Sequence, residues 1–244
     1  MNDKKIQREL QKPFKESDLE WRVQAVGKTG DRFWARVLVY VTNRAIQQRL
    51  DKAVGAFNWR NEFKPLPNSV GDGALCGISI KLGDEWVTKW DGADNTDIEA
   101  TKGGLSGSMK RAAVQWGIGR YLYDVEAMYA DVITKEQWQK LQYHEKQEWE
   151  RAQTKQKEVF YWKPPKLSAK FLPHPYIKLD AVKAIKKLIK DTGTDEKAVC
   201  EAYGVDDIRD LFSHEAAEIV MLLTKKLQRM KEEENEPATT KNVA

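Results

Sequence analysis

Cysteine, histidine and long apolar runs are all scarce in this chain, and each scarcity closes off a class of function. The 244 residues contain two cysteines, Cys76 and Cys200, far apart and outside any CxxC or Cys/His spacing. Neither a disulfide framework nor a zinc cage is expected, and free thiols in a reducing, cytoplasmic setting are. Three histidines, His144, His174 and His214, are too scattered to suggest a nucleophile paired with a base. The unbroken apolar runs, such as residues 37–41 and 219–223, fall far short of a bilayer span, so no membrane segment is expected. The N-terminal stretch MNDKKIQRELQKPF is charged throughout and holds no apolar segment of signal-peptide length. Charge is plentiful but nearly balanced, 41 Lys and Arg against 37 Asp and Glu, so any electrostatic partner must be argued from where the charges lie.

What is present is pattern. In LEWRVQAV, residues 19–26, the residues Leu19, Trp21, Val23 and Ala25 alternate with Arg22 and Gln24, the period of a half-buried strand. FWARVLVYV, residues 33–41, alternates again, so the two read as a hairpin with its loop at 27–32. Thr42 caps a helix with Ile46, Leu50 and Val54 on one face, and Gly55 stops it. Three further strand-like runs at 57–63, 74–82 and 85–90 imply an antiparallel meander. Leu105, Met109, Ala112 and Trp116 then fall on one stripe of a helix. The expected fold class is α+β: a β-hairpin, a helix, a three-stranded meander and a helix, forming an antiparallel core, with a small C-terminal all-α bundle. Residues 134–158 are polar and helix-prone until YWKPPK, where paired prolines end any helix. The expected division is a core at 1–160, a linker at 161–175, a bundle at 176–232 and a disordered tail at 233–244. In the bundle, Val182, Ile185 and Leu188 share one stripe and Val199 and Ala202 another. Ser213 caps a third helix with Ala217, Val220, Leu223 and Leu227.

The glycine-rich stretch KGGLSGSMKRAAVQWGIGRYLY, residues 102–123, raises the question of a nucleotide cradle. A phosphate loop needs G-x4-G-K-[ST], but in GLSGSMKR, residues 104–111, Met109 stands at the second glycine and Arg111 at the hydroxyl. RVQAVGKT, residues 22–29, ends correctly but begins with Arg22 and sits in a hairpin with no following helix. Adjacent Gly103 and Gly104 do not make a dinucleotide fingerprint either. The acids Asp91, Asp94, Asp97 and Glu99 lack a calcium-loop or nuclease spacing and read as a solvated loop. No cofactor, metal or catalytic residue is expected, which points to a binding protein rather than an enzyme.

A polynucleotide suits the stretch better. Between Lys102 and Arg120 lie four basic residues and no acid, and Lys110 and Arg111 project away from the apolar stripe, so both are expected at an exposed surface. Small residues at 103–108 allow a backbone to approach a helix start that favours phosphate. A second concentration runs from Arg22 to Arg49, six bases against Asp31 alone, and includes Arg32 and Arg36. Among nine tryptophans most on strands belong to core, but Trp34 shares its strand face with Arg36 and is the preferred base-stacking candidate.

GGLSGSMKRAAVQWGIGRYLYD, preceded by DGADNTDIEATK and by EWRVQ near the N-terminus, resembles the single-strand annealing proteins of the Rad fifty-two type, most closely the phage-encoded Sak-like members. The resemblance covers about residues 18–130. It implies DNA contacts at Lys102, Lys110, Arg111 and Arg22, with Ala112, Trp116 and Gly117 completing the motif, and Val114 where eukaryotic members carry a further arginine. It also implies ATP-independent binding and annealing of single-stranded DNA in homologous recombination and double-strand break repair, by a homo-oligomeric ring or filament that holds the strand and its annealed duplex. If phage-encoded, the protein works in a bacterial cytoplasm. The C-terminal bundle resembles modules that dock on a host single-strand-binding protein or an exonuclease, with Lys183, Lys186, Lys187 and Lys190 as a basic face. Two alternatives stand beside this: a metal-dependent nuclease using the acids of residues 91–99, and a duplex-binding helix-turn-helix regulator with its turn at Gly204 and Val205.

Overall fold

A computed structural model describes residues 3–67, 72–95, 100–154 and 156–235, with side chains apart from those at 100–102 and 234–235. It divides the chain into two compact units, Glu9–Pro173 and Met1–Arg8 with His174–Ala244. Helix α1 (Asp3–Gln11) contributes to both.

The larger unit carries three antiparallel three-stranded sheets. In the first, β1 (Leu19–Thr29) and β2 (Arg32–Val41) pair around a turn at Gly30, whose φ of +58° is readily adopted by glycine. A bulge at Gln24, where the register shifts between Val23 and Ala25, moves every later β1 side chain to the opposite face. Ala25, expected beside Val23, therefore shares its face with Arg36, and Val26 takes the inner place opposite Ala35. Helix α2 (Asn43–Val54) starts at Thr42, whose hydroxyl accepts from the Ala45 amide at 3.3 Å, and stops at Gly55; it buries Ile46, Leu50 and Val54 as expected.

The meander of β3 (Trp59–Pro65), β4 (Gly73–Leu82) and β5 (Glu85–Asp94) forms the second sheet. Its register puts Ala74, Cys76 and Ile78 on one face with Ala93, Asp91 and Lys89, and helix α3 (Ala100–Gln115) packs there. Met109, Ala112, Ala113 and Ser108 are buried beneath α3, and Trp116 just beyond its end donates from Nε1 to the Ile78 carbonyl at 2.9 Å. A Cβ on Gly107 would lie 3.0 Å from that of Ala93, and one on Gly104 would lie 2.4 Å from Asn95 Oδ1. These two glycines let the helix approach the end of β5, a packing role where the sequence suggested clearance for a ligand backbone.

Residues 134–158, read as polar and helix-prone, form two short helices, α4 (Lys135–Gln139) and α5 (Tyr143–Lys146), but also a strand. In chain order β6 (Met128–Tyr129) joins the hairpin sheet, while β7 (Asp131–Thr134), β8 (Glu150–Gln153) and β9 (Val159–Lys163) make the third sheet. Its core pairs Phe160 and Trp162 with Ala35 and Val37 of the hairpin. Residues 161–163, expected to open a linker, are thus the end of β9; their alternation is too short for period alone to identify.

The smaller unit holds α6 (Leu179–Asp191), α7 (Glu196–Tyr203) and α8 (Ser213–Asn235) around Val182, Ile185, Ile189, Cys200, Ile208, Leu211, Ile219 and Leu223. The inner face of α8 carries Leu223 as expected, but Ala216 and Ile219 are buried there in place of Ala217, and the expected Val220 packs at its edge, only partly buried. Glu215 reaches back to accept from the Phe212 amide at 2.7 Å, whereas the Ser213 hydroxyl donates to the Pro175 carbonyl at 3.2 Å and does not cap. Nine residues, with a 3-10 turn at Ile208–Asp210, separate α7 from α8, unlike the tight three- or four-residue turn of a helix-turn-helix.

Candidate nucleic-acid interface

A groove of about 510 Å³ runs between α3 and the outer face of the hairpin. Arg22, Leu38 and Tyr40 line its hairpin side, Gly103, Gly107, Lys110, Arg111 and Val114 its helical side, and Asp94, Tyr123 and Glu126 also face it. Alternation along β1 and β2 aims Arg22, Leu38 and Tyr40 to one face. Adjacency on α3 turns Lys110 and Arg111 to different neighbours.

The two cations are held unlike each other. Lys110 has a side chain only 13% exposed, and its Nζ bonds Glu20 of β1, while lying 5.7 Å from the centroid of the Tyr40 ring. The same Glu20 Oε1 accepts from Arg22 Nε at 3.1 Å, with Nη2 of that guanidinium 3.0 Å away in the ion pair. Burial pulls the Lys110 ammonium below the ordinary lysine value, against the opposing pull of Glu20. Arg111, 57% exposed, bonds Asp91 Oδ1 from Nε at 2.9 Å, and that contact raises its pKa. Burial alone would raise the Asp91 carboxyl, but bonds from Gln115 Nε2 at 3.0 Å, from Arg111 and from the Gly92 amide at 2.8 Å hold it below its usual value. Both Lys110 and Arg111 were expected exposed; Lys110 is mostly covered because the hairpin closes over it.

The structure brings together Arg22, Lys110 and Arg111. Lys102 lies on α3, but its side chain is outside the described residues, as are Asp97 and Glu99. Trp34, Arg36 and Arg32 lie further along the hairpin, outside the groove lining. Trp34 shares its face with Arg36 as expected, lies so close to Gly27 that an added Cβ there would come within 2.4 Å of its ring, and meets Tyr129 edge-on at 6.3 Å. Of the second basic concentration, Arg32, Arg36 and Arg44 are exposed, while two members are engaged elsewhere. Arg49 is spent on the carbonyls of Glu9 and Leu10 at 3.0 and 3.3 Å and stacks on Phe14, and Lys28 pairs with Glu158 at 2.9 Å. Asp91 has both oxygens engaged, and no cluster of three metal-ligating side chains occurs among the described residues.

Residues 2–141 match the Rad52/22 family double-strand break repair protein. The chain belongs to that family. Every groove residue named above falls within the part matched to the Rad52/22 family. Two curated relatives are each named "Single-stranded DNA-binding protein DdrA". The one from Deinococcus radiodurans is 34% identical over 132 residues, which is 52% of this chain and 58% of that protein. The one from Deinococcus deserti is 34% identical over 125 residues, 49% of this chain and 57% of that protein. The matched segments thus span little more than half the length of either relative. No solved structure matches the chain.

Sequence reasoning missed Glu20 and Asp91. Glu20 was within reach, because the same alternation that aims Arg22 outward aims Glu20 beside it. Asp91 is 20 residues from Arg111 and only the packing of α3 on β5 joins them.

Proposed function

We propose that the chain binds single-stranded DNA in the groove between α3 and the hairpin and anneals complementary strands without nucleotide hydrolysis, in recombination and double-strand break repair. The observation that carries this is the convergence of Arg22, Lys110 and Arg111 on one groove, in a family of break repair proteins with relatives named as single-stranded DNA-binding. Cations in a groove neutralise phosphates and leave the pairing edges of bases free, which is what two repelling strands need before they pair. No covalent step is required of the protein.

The protein works in this reading as a homo-oligomer, a ring or a filament, which electron micrographs with and without an oligonucleotide would display. Lys183, Lys187 and Lys190 are exposed on α6 and offer a basic face to an acidic partner such as a single-strand-binding protein or exonuclease, while Lys186 is engaged with Glu196 at 2.8 Å. The direct test is Lys110→Ala with Arg111→Ala. Binding of labelled oligothymidylate and annealing of complementary oligonucleotides should both fall sharply with the far-UV spectrum unchanged. Undiminished binding would place the strand elsewhere.

A further inference from the structure

Among the described residues, the charge of the groove is compensated in the free protein. Three described cations face four carboxylates: Glu20 and Asp91, bonded to them, and Asp94 and Glu126, lining the groove beside them. A strand entering it must therefore compete with anions already in place.

The two bonded carboxylates are not equivalent. Asp91 accepts from Gln115 and from the Gly92 amide as well as from Arg111, so it stays satisfied when the guanidinium turns to another anion. Glu20 has no such support. The side-chain bonds of its carboxylate among the described residues run to Arg22 and Lys110 alone, and both meet at one oxygen. Arg22 belongs to the hairpin and Lys110 to α3, so this single oxygen marks one anion position shared by the two walls of the groove. Carboxylate and phosphate oxygens accept charge-assisted bonds of the same length and geometry. A cation as covered as Lys110 requires an anion beside it, and either group meets that requirement.

Resting on the reading of the groove as a strand-binding site, we infer that Glu20 is an internal stand-in for phosphate: it holds Arg22 and Lys110 around one position in the free protein and is displaced when a backbone phosphate of single-stranded DNA takes that position. Glu20 thereby keeps the groove formed when empty and weakens the grip when full, which favours release of the annealed duplex.

The test is Glu20→Gln in the full chain, titrated into labelled oligothymidylate and followed by anisotropy across a salt series beside the wild type. The amide keeps the shape and removes the competing charge, and the strand should bind on the order of tenfold more tightly. The gain should vanish when Lys110→Met is added, because Lys110 is one of the groups for which Glu20 competes. Equal or weaker binding by Glu20→Gln, with an unchanged melting temperature, overturns the inference and leaves Glu20 as a latch between helix and hairpin. A gain that persists with Lys110→Met also overturns it, in favour of diffuse repulsion. If Glu20→Gln does not fold, Glu20→Asp, which retracts the charge by one methylene, should bind several-fold tighter than wild type, and no gain there overturns the proposal equally. The groove reading fails separately: binding that is unaffected by the Lys110 and Arg111 double replacement removes both, whereas groove binding that Glu20→Gln does not tighten removes only the inference.

Discussion

The most direct measure of the groove is how steeply its affinity for a strand depends on salt. Each phosphate neutralised on single-stranded DNA releases condensed counterions and contributes about −0.7 to the slope of log affinity against log salt. Arg22 and Lys110 share one phosphate position and Arg111 holds a second, so the wild-type slope from these residues should be about −1.4. Raising salt from roughly 50 to roughly 200 mM then weakens binding about 7-fold, whereas the Lys110 and Arg111 double replacement, with Arg22 alone, should weaken it by at most about 2.6-fold over the same range. The single variants should differ. Arg111→Ala removes one exposed contact and leaves Asp91 satisfied by Gln115 and Gly92, so the slope should flatten by about 0.7. Lys110→Ala leaves Arg22 alone at the shared position and still paired with Glu20, so it should flatten the slope by at most about 0.7. Fluorescence anisotropy with an oligothymidylate short enough to occupy one protomer reads these slopes. A double variant with the wild-type slope would refute the assignment, even if its absolute affinity had fallen.

Three further outcomes follow from the same geometry. Burial holds Lys110 below the ordinary value of 10.5, and the protonated form is the one that grips phosphate, so affinity should be full below the lowered pKa and decline as pH rises through it. Lys110→Arg should remove that decline, and a profile unchanged by the replacement would argue against Lys110 as a contact. Burial pushes the Cys76 thiol up to about 12, so iodoacetamide near neutral pH should leave Cys76 unmodified in the folded protein and label it only after denaturation, as read by mass spectrometry. Replacing Trp116 by Phe removes the bond from Nε1 to the Ile78 carbonyl and should cost about 1 kcal/mol in urea denaturation; no change in midpoint would mean that this bond does not anchor α3.

Local pattern carried a large share of the fold. Thr42 and Gly55 delimit α2 as capping chemistry requires, and alternation located the hairpin and the meander. It failed where a rule with a fixed period met an irregularity. The Gln24 bulge turned Ala25 outward, a polar composition concealed β8, and α8 began one residue away from its expected cap. For the groove, Arg22, Lys110 and Arg111 were legible because each side-chain direction follows from its own element. Trp34 and Arg36 share a face of β2 as alternation requires, yet they and Arg32 lie outside the lining.

The sequence by itself determined the α+β class, the helical register that faces Lys110 and Arg111 away from the core, and an acid-free cationic stretch from Lys102 to Arg120. Tertiary structure alone decided that Lys110 and Arg111 within it are not free charge. Folding brings Glu20 from 90 residues away against Lys110 and Asp91 from 20 away against Arg111, and it spends Arg49 and Lys28 on other partners. The reason is physical: covering a cation is costly unless an anion covers it, and which anion arrives depends on how sheets and helix pack, a long-range outcome that no local period encodes.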